Sequence, residues 1–133
     1  MSSHATGTFE GKTWDEKPYS ELEGVPKLAR ASVTNSFHGD IEGEGTLEYL
    51  LIYRDDGSCG FIGVERVVGQ VGNRSGSFVL QHNGNFEAGM AMANWFVVTG
   101  SGTGELRGLR GEGGFVAKHG QPLATFTLDY DFA

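Results

Sequence analysis

Three ionisable residues of this chain stand where strand patterning calls for apolar ones. Glu48 shares its face with Leu50 and Ile52, Glu65 with Phe61 and Val67, and His82 with Phe78 and Leu80, because residues two apart on a strand point the same way. Tyr130 falls in with Phe126, Leu128 and Phe132, and Trp95 with Ala91, Ala93 and Val97. If these faces point inward, they enclose an aromatic, apolar pocket with two carboxylates, an imidazole and a phenol. Apolar walls with a few orienting polar groups describe a small-molecule site. Burial raises a carboxylate's pKa and lowers that of a histidine, which suits both to proton transfer. Glu65 and His82 are therefore the candidate catalytic acid/base pair. Glu48 and Tyr130 would orient a carbonyl or hydroxyl, while Phe78 and Trp95 would form walls. The structural alternative pairs Glu48 or Glu65 with Arg66, Arg107 or Arg110 and leaves His82 a hydrogen-bonded core histidine.

Other chemistry-bearing groups have plainer readings. His38, Asp40, Glu42 and Glu44 alternate like metal ligands, yet same-face neighbours on a strand lie about 7 Å apart, too far for four to meet at one ion. They continue the polar row of Arg30, Ser32, Thr34 and Ser36 and read as a solvated face. Gly100-Ser101-Gly102-Thr103-Gly104-Glu105-Leu106 looks like a phosphate cradle, but no helix pattern follows to supply the dipole. It reads as a strand junction or bulge. Cys59 has no sequence-local activating cation and reads as a packed thiol. Dinucleotide, phosphate-loop and Gly-x-Ser-x-Gly motifs do not occur, so no cofactor and no metal is expected.

The elements that must position these residues are strands. Of 133 residues 22 are Gly and 3 are Pro, and a glycine inside a helix costs about 1 kcal/mol against Ala. Period-2 alternation runs almost unbroken past residue 27. Turn signals at Asp55-Asp56-Gly57-Ser58, Gly72-Asn73 and Asn83-Gly84-Asn85 divide it. With a first strand from Thr6 to Trp14, then a polar connection from Asp15 to Lys27 with room for one helical turn, eight strands are expected. Later ones cover residues 59–71, 75–82, 88–99, 103–117 and 122–132. Short turns and no helical crossover predict an antiparallel meander. The fold class is all-β, an eight-stranded up-and-down barrel in one domain spanning residues 1–133. A two-sheet β-sandwich is the competitor. In-strand glycines favour the barrel, which coils sharply and brings backbones close.

The charge of −7 and pI near 5.0 oppose nucleic acid and anionic membranes as partners. No apolar run is long enough to span a bilayer as a helix. A lone cysteine and no visible signal peptide point to the cytoplasm.

Several segments carry a family likeness: Phe37-His38-Gly39-Asp40-Ile41-Glu42-Gly43-Glu44-Gly45, Glu48-Tyr49-Leu50, Phe61-Ile62-Gly63-Val64-Glu65-Arg66, Gly76-Ser77-Phe78-Val79-Leu80-Gln81-His82 and Gly100 to Leu106. From about residue 7 to residue 130 the chain resembles a bacterial family known as a domain of unknown function, whose members look like allene oxide cyclase barrels. The resemblance implies eight antiparallel strands around an elongated cavity, and it supplies no activity and no catalytic residues to carry across. Three functions stay open. The first is a cofactor-free isomerase or cyclase for an apolar substrate, and the second is a non-catalytic barrel binding an apolar small molecule. The third is a solid barrel that self-associates as a homo-oligomer, with Trp14 or Trp95 at the subunit contact.

Overall fold

The alternation closes into a barrel. The computed structural model describes residues 2–133. Its strands are β1 (Ser3–Ser20), β2 (Lys27–Gly39), β3 (Ile41–Tyr53), β4 (Cys59–Val71), β5 (Arg74–Glu87), β6 (Met90–Val97), the two-residue β7 (Thr103–Gly104), β8 (Leu109–Lys118) and β9 (Ala124–Phe132). β1 to β5 each pair antiparallel with the next strand, β6 passes directly to β8, β8 pairs with β9, β9 returns to β1, and the short β7 lies against the start of β5. The ring of eight strands thus has no free edge, which rules out the sandwich. Inward positions hold Ala31, Val33, Phe37, Leu47, Phe61, Val67, Phe78, Leu80, Trp95, Phe126 and Leu128, all buried.

Four boundaries differ from the sequence expectation, each for a visible reason. β1 continues through the expected connection to Ser20, because β2 keeps pairing with it as far as Ser20↔Leu28. A bulge at Lys12, between the pairs Gly11↔Asn35 and Thr13↔Thr34, switches the inward face from odd to even residues. Trp14 thereby turns toward the barrel mouth. The step from β2 to β3 falls at Gly39-Asp40, where Gly39 has φ 113°, so His38 and Glu42 belong to different strands. Among the described residues no group of three or more His, Cys, Asp or Glu side chains could hold a metal ion. Instead Asp40 accepts a hydrogen bond from the Thr6 N–H, and Glu44 accepts one from the Ser36 hydroxyl. Asn83-Gly84-Asn85 makes no turn. β5 runs through it, paired with β6 as Asn83↔Asn94, Gly84↔Ala93 and Asn85↔Met92, so closely that a Cβ on Gly84 would stand 2.3 Å from the Met92 carbonyl oxygen, and the chain reverses at Ala88-Gly89, both with positive φ.

The last difference explains the glycine-rich segment. β6 pairs with β5 only from Leu80↔Val97 onward, which leaves the β5 N–H groups of residues 75, 77 and 79 uncovered. Glu105 Oε1, Thr103 Oγ1 and Ser101 Oγ accept from Ser75, Ser77 and Val79 respectively, at 2.9, 3.0 and 3.0 Å. Side chains and the two-residue β7 thus stand in for the missing length of β6 and satisfy the β5 donors. Leu106, next in the chain, is fully buried. The segment is a strand junction, and its three acceptor side chains are spent on the barrel.

Candidate functional site

Alternation alone would pack both halves of the barrel alike, but the side chains are distributed unequally along its axis. The end formed by the β2–β3, β4–β5 and β6–β8 connections is filled by Ile41, Val67, Phe78, Leu80, Leu106, Leu109 and Leu128, each at most 1% exposed. The opposite end is open. There an apolar cavity of about 420 Å³ is lined by Phe9, Trp14, Tyr49, Tyr53, Phe61, Phe86 and Phe115 together with Ala91 and Ala117. Its rim carries Gln121 and Pro122 from the β8–β9 connection. Ala91 and Ala117 are directly paired across β6 and β8, so two small side chains leave space where large ones would meet.

Polar groups reach the floor of this cavity through one buried chain of hydrogen bonds. Glu65 on β4 and His82 on β5 are both fully buried, with Glu65 Oε1 2.9 Å from His82 Nε2. Asn35 Nδ2 on β2 donates to Glu65 Oε2 at 2.8 Å. The Tyr49 hydroxyl on β3 lies 3.0 Å from His82 Nδ1. The sequence Asn35–Glu65–His82–Tyr49 therefore crosses four adjacent strands. With Glu65 as the carboxylate and His82 as the neutral imidazole, every member has a defined role: Asn35 and His82 Nε2–H donate to Glu65, and the Tyr49 O–H donates to the free lone pair of His82 Nδ1. No arginine or lysine joins it. Among the described residues no buried side-chain nitrogen or oxygen lacks a partner, as a core this apolar demands.

Glycines make the arrangement sterically feasible. A Cβ on Gly45 would stand 2.2 Å from Glu65 Oε2, and one on Gly63 would stand 2.5 Å from the Tyr49 ring. Gly63 is the cross-strand partner of both Tyr49 and His82, so the phenol can lie across it to reach the imidazole. The rings of Tyr49, Trp95 and Phe115 surround His82 at 5.5, 5.2 and 5.6 Å between centroids. Burial, aided by the Glu65 charge, pushes the Tyr49 phenol well above its usual pKa. Tyr49 consequently holds its proton firmly.

The six residues selected from sequence fall in different places, and none of them lines the cavity. Glu65 and His82 come together as expected, but beneath the floor, behind Asn35 and Tyr49. Phe78 is fully buried in the packed half. Trp95 is buried beside His82 with its Nε1–H donating to the Thr127 carbonyl at 3.0 Å, so it is neither a cavity wall nor a surface contact. Tyr130 packs on Phe132, 6.1 Å between centroids, at the closed end, because β9 enters the barrel from its other side. Glu48 faces outward, and Arg30 Nε donates to it at 2.9 Å. The Ser32 hydroxyl and the Arg30 guanidinium hold its carboxyl below the usual range. Its apolar companions Leu50 and Ile52 are outward too, 46% and 38% exposed. Glu65 pairs with none of the arginines considered for it.

Asn35 and Tyr49, which do line the cavity, were missed for separate reasons. Asn35 breaks the inward row Ala29, Ala31, Val33, Phe37 just as Glu65 breaks its own, and the same rule would have found it. Tyr49 sits between Leu47 and Leu51 in a strand apolar on both faces, where a tyrosine attracts no notice. Cys59 lines the cavity as well, with burial pushing its thiol pKa up, so it stays protonated and unreactive.

Comparison with known proteins adds a family and a fold. The family described as "Protein of unknown function (DUF3224)" matches residues 5–130. A solved structure of a protein of unknown function from the same family, from Shewanella oneidensis MR-1, is 29% identical, with TM-score 0.81 over 100% of this chain and 99% of that one. No curated protein matches.

Proposed function

We propose a ligand-binding function on one premise: the chain belongs to the DUF3224 family of proteins of unknown function, so its site rather than its relatives must supply the reading. The barrel holds one compact, largely apolar small molecule in its open half, with a single polar group set against Tyr49 and Asn35. The carrying observation is the unequal filling of the barrel: a cavity of about 420 Å³ with seven aromatic lining residues above a fully hydrogen-bonded polar floor. That volume suits a small ligand, and preformed apolar walls with few polar groups favour one. Cofactor-free acid/base turnover of such a ligand, as an isomerase or cyclase would perform, is the finer reading. It draws support from the Glu65–His82 pair behind the floor, which would act through Tyr49.

Filling the cavity tests the binding function. Trp14 stands at the mouth, 6.0 Å from the Tyr49 ring, so a bound aromatic probe should change its fluorescence. Naphthalene and nitrobenzene are expected to bind saturably to the parent protein and at least tenfold more weakly to Ala91→Phe and Ala117→Phe. Equal binding to parent and filled variants, or no saturation in the parent, would refute the proposal.

A further inference from the structure

We propose that Tyr49, His82 and Glu65 form a proton relay and that the cavity takes a compound with a weakly acidic hydroxyl, an enol or a phenol, bound as its oxyanion. This rests on the binding function above and adds the ligand's chemical class. The geometry sets the direction of transfer. Tyr49 reaches the cavity, whereas His82 and Glu65 do not, so any proton exchanged with a ligand passes through the phenol. With His82 neutral and its proton on Nε2 toward Glu65, Tyr49 donates its own hydrogen to His82 Nδ1 across 3.0 Å. Its oxygen therefore offers only lone pairs to a ligand, and a ligand that donates, such as a hydroxyl, matches it.

The step is a double proton transfer. The ligand O–H bond breaks, its proton joins the Tyr49 oxygen, and the electron pair stays on the ligand oxygen. At the same time the original Tyr49 proton moves to His82 Nδ1. Tyr49 ends neutral, as its reluctance to ionise in this buried place requires. His82 ends as an imidazolium, bonded through Nε2–H to Glu65 Oε1 at 2.9 Å. The complex gains and loses no proton overall. One negative charge appears on the ligand and one positive charge on His82.

The surroundings favour that end state. Glu65 is a buried carboxylate with no lysine or arginine partner, and a cation created at His82 compensates it. Asn35 Nδ2 fixes the other carboxylate oxygen at 2.8 Å, so the charge cannot swing away. The groups packed on His82 from the remaining elements are Trp95 of β6 and Phe115 of β8, neither of which titrates. In the product the chain reads Glu65 carboxylate, His82 imidazolium, Tyr49 hydroxyl, ligand oxyanion, with every hydrogen bond directed toward a negative end. Hydrogen bonds to charged groups of this kind are about twice as strong as neutral ones.

The test uses 4-nitrophenol, whose anion is yellow, beside nitrobenzene, which has no proton to give. About one pH unit below the pKa of free 4-nitrophenol, the bound dye is expected to be mostly ionised, against roughly a tenth of it in free solution. Glu65→Gln and Tyr49→Phe, checked for folding by circular dichroism and by retained nitrobenzene binding, should each lower the bound anion-to-phenol ratio at least tenfold. If nitrobenzene binds while bound nitrophenol shows the spectrum of the free dye, or is more protonated, the relay is wrong and the cavity stands. A yellow complex that survives Glu65→Gln would also overturn the relay. If neither compound binds the parent protein, the binding function fails and the relay with it.

Discussion

The two halves of this barrel follow one alternation rule and reach opposite results. Toward the closed end the inward residues are branched or bulky aliphatics with Phe78, and Leu106 from the β6–β8 segment is buried among them. Toward the open end seven aromatics join Val33, Leu47 and Leu51 and are interspersed with Ala91, Ala117 and Gly11. Aliphatics of matched size interlock, whereas rigid rings set opposite alanines leave a gap. The Glu65–His82 pair lies at the junction, walled off from water by the packed half and separated from the cavity by Asn35 and Tyr49. A polar pair any deeper would have no route to a ligand. Placed any shallower, it would be hydrated and lose its electrostatic strength.

Substitutions should expose the contrast, most strongly in the core. Phe78→Ala in the packed half is expected to cost about 3–5 kcal/mol in urea unfolding, while Phe86→Ala at the mouth, 36% exposed, should cost under about 1 kcal/mol. Equal losses would show that the halves are packed alike. At the junction, Asn35→Leu removes the donor to Glu65 Oε2 and should cost about 1–3 kcal/mol for the orphaned acceptor, read from the same denaturation curves. A neutral result would mean that water reaches Glu65.

The next effect is one of pH. The folded state keeps the proton on Tyr49 above the ordinary tyrosine value of 10.0, because burial and then the Glu65 charge disfavour the phenolate. The unfolded chain ionises near that value, so the contribution of Tyr49 is fully present below it and declines as pH rises beyond it. The slope is up to about 1.4 kcal/mol per pH unit. Tyr49→Phe should flatten this alkaline loss relative to the parent, measured by urea unfolding at about pH 9 and pH 11; an unchanged slope would place the phenol in contact with bulk water. The smallest effect belongs to Trp14, 54% exposed. Trp14→Ala should shift stability by about 0.5 kcal/mol or less while weakening capture of nitrobenzene severalfold. The reverse pattern would make the mouth part of the core.

Much of the fold was legible because a strand writes its two faces directly into the sequence. The turn at Asp55 to Ser58 formed as read, with Asp56 Oδ1 accepting from both the N–H and the hydroxyl of Ser58. Glu65 and His82 could be paired in advance because each interrupts an apolar inward row. Glu48 interrupts a row as well, but on β3 both rows are apolar, and nothing in the alternation distinguishes the face that meets water. Trp14 was obscured by the bulge at Lys12, one residue that reverses the face of everything after it.

By itself the chain determined an all-β antiparallel meander, the residues that share a face, and the presence of ionisable groups among apolar ones. These follow from local geometry, since alternation, glycine and turn chemistry act within a few residues. Only the tertiary structure decided how deep each inward residue lies along the barrel axis. It placed Phe78 and Tyr130 in the packed half, put Tyr49 and Asn35 at the cavity floor, and joined four residues from four strands into one hydrogen-bonded chain. Depth depends on strand tilt and on register between segments far apart in sequence, and neither is written in any one strand.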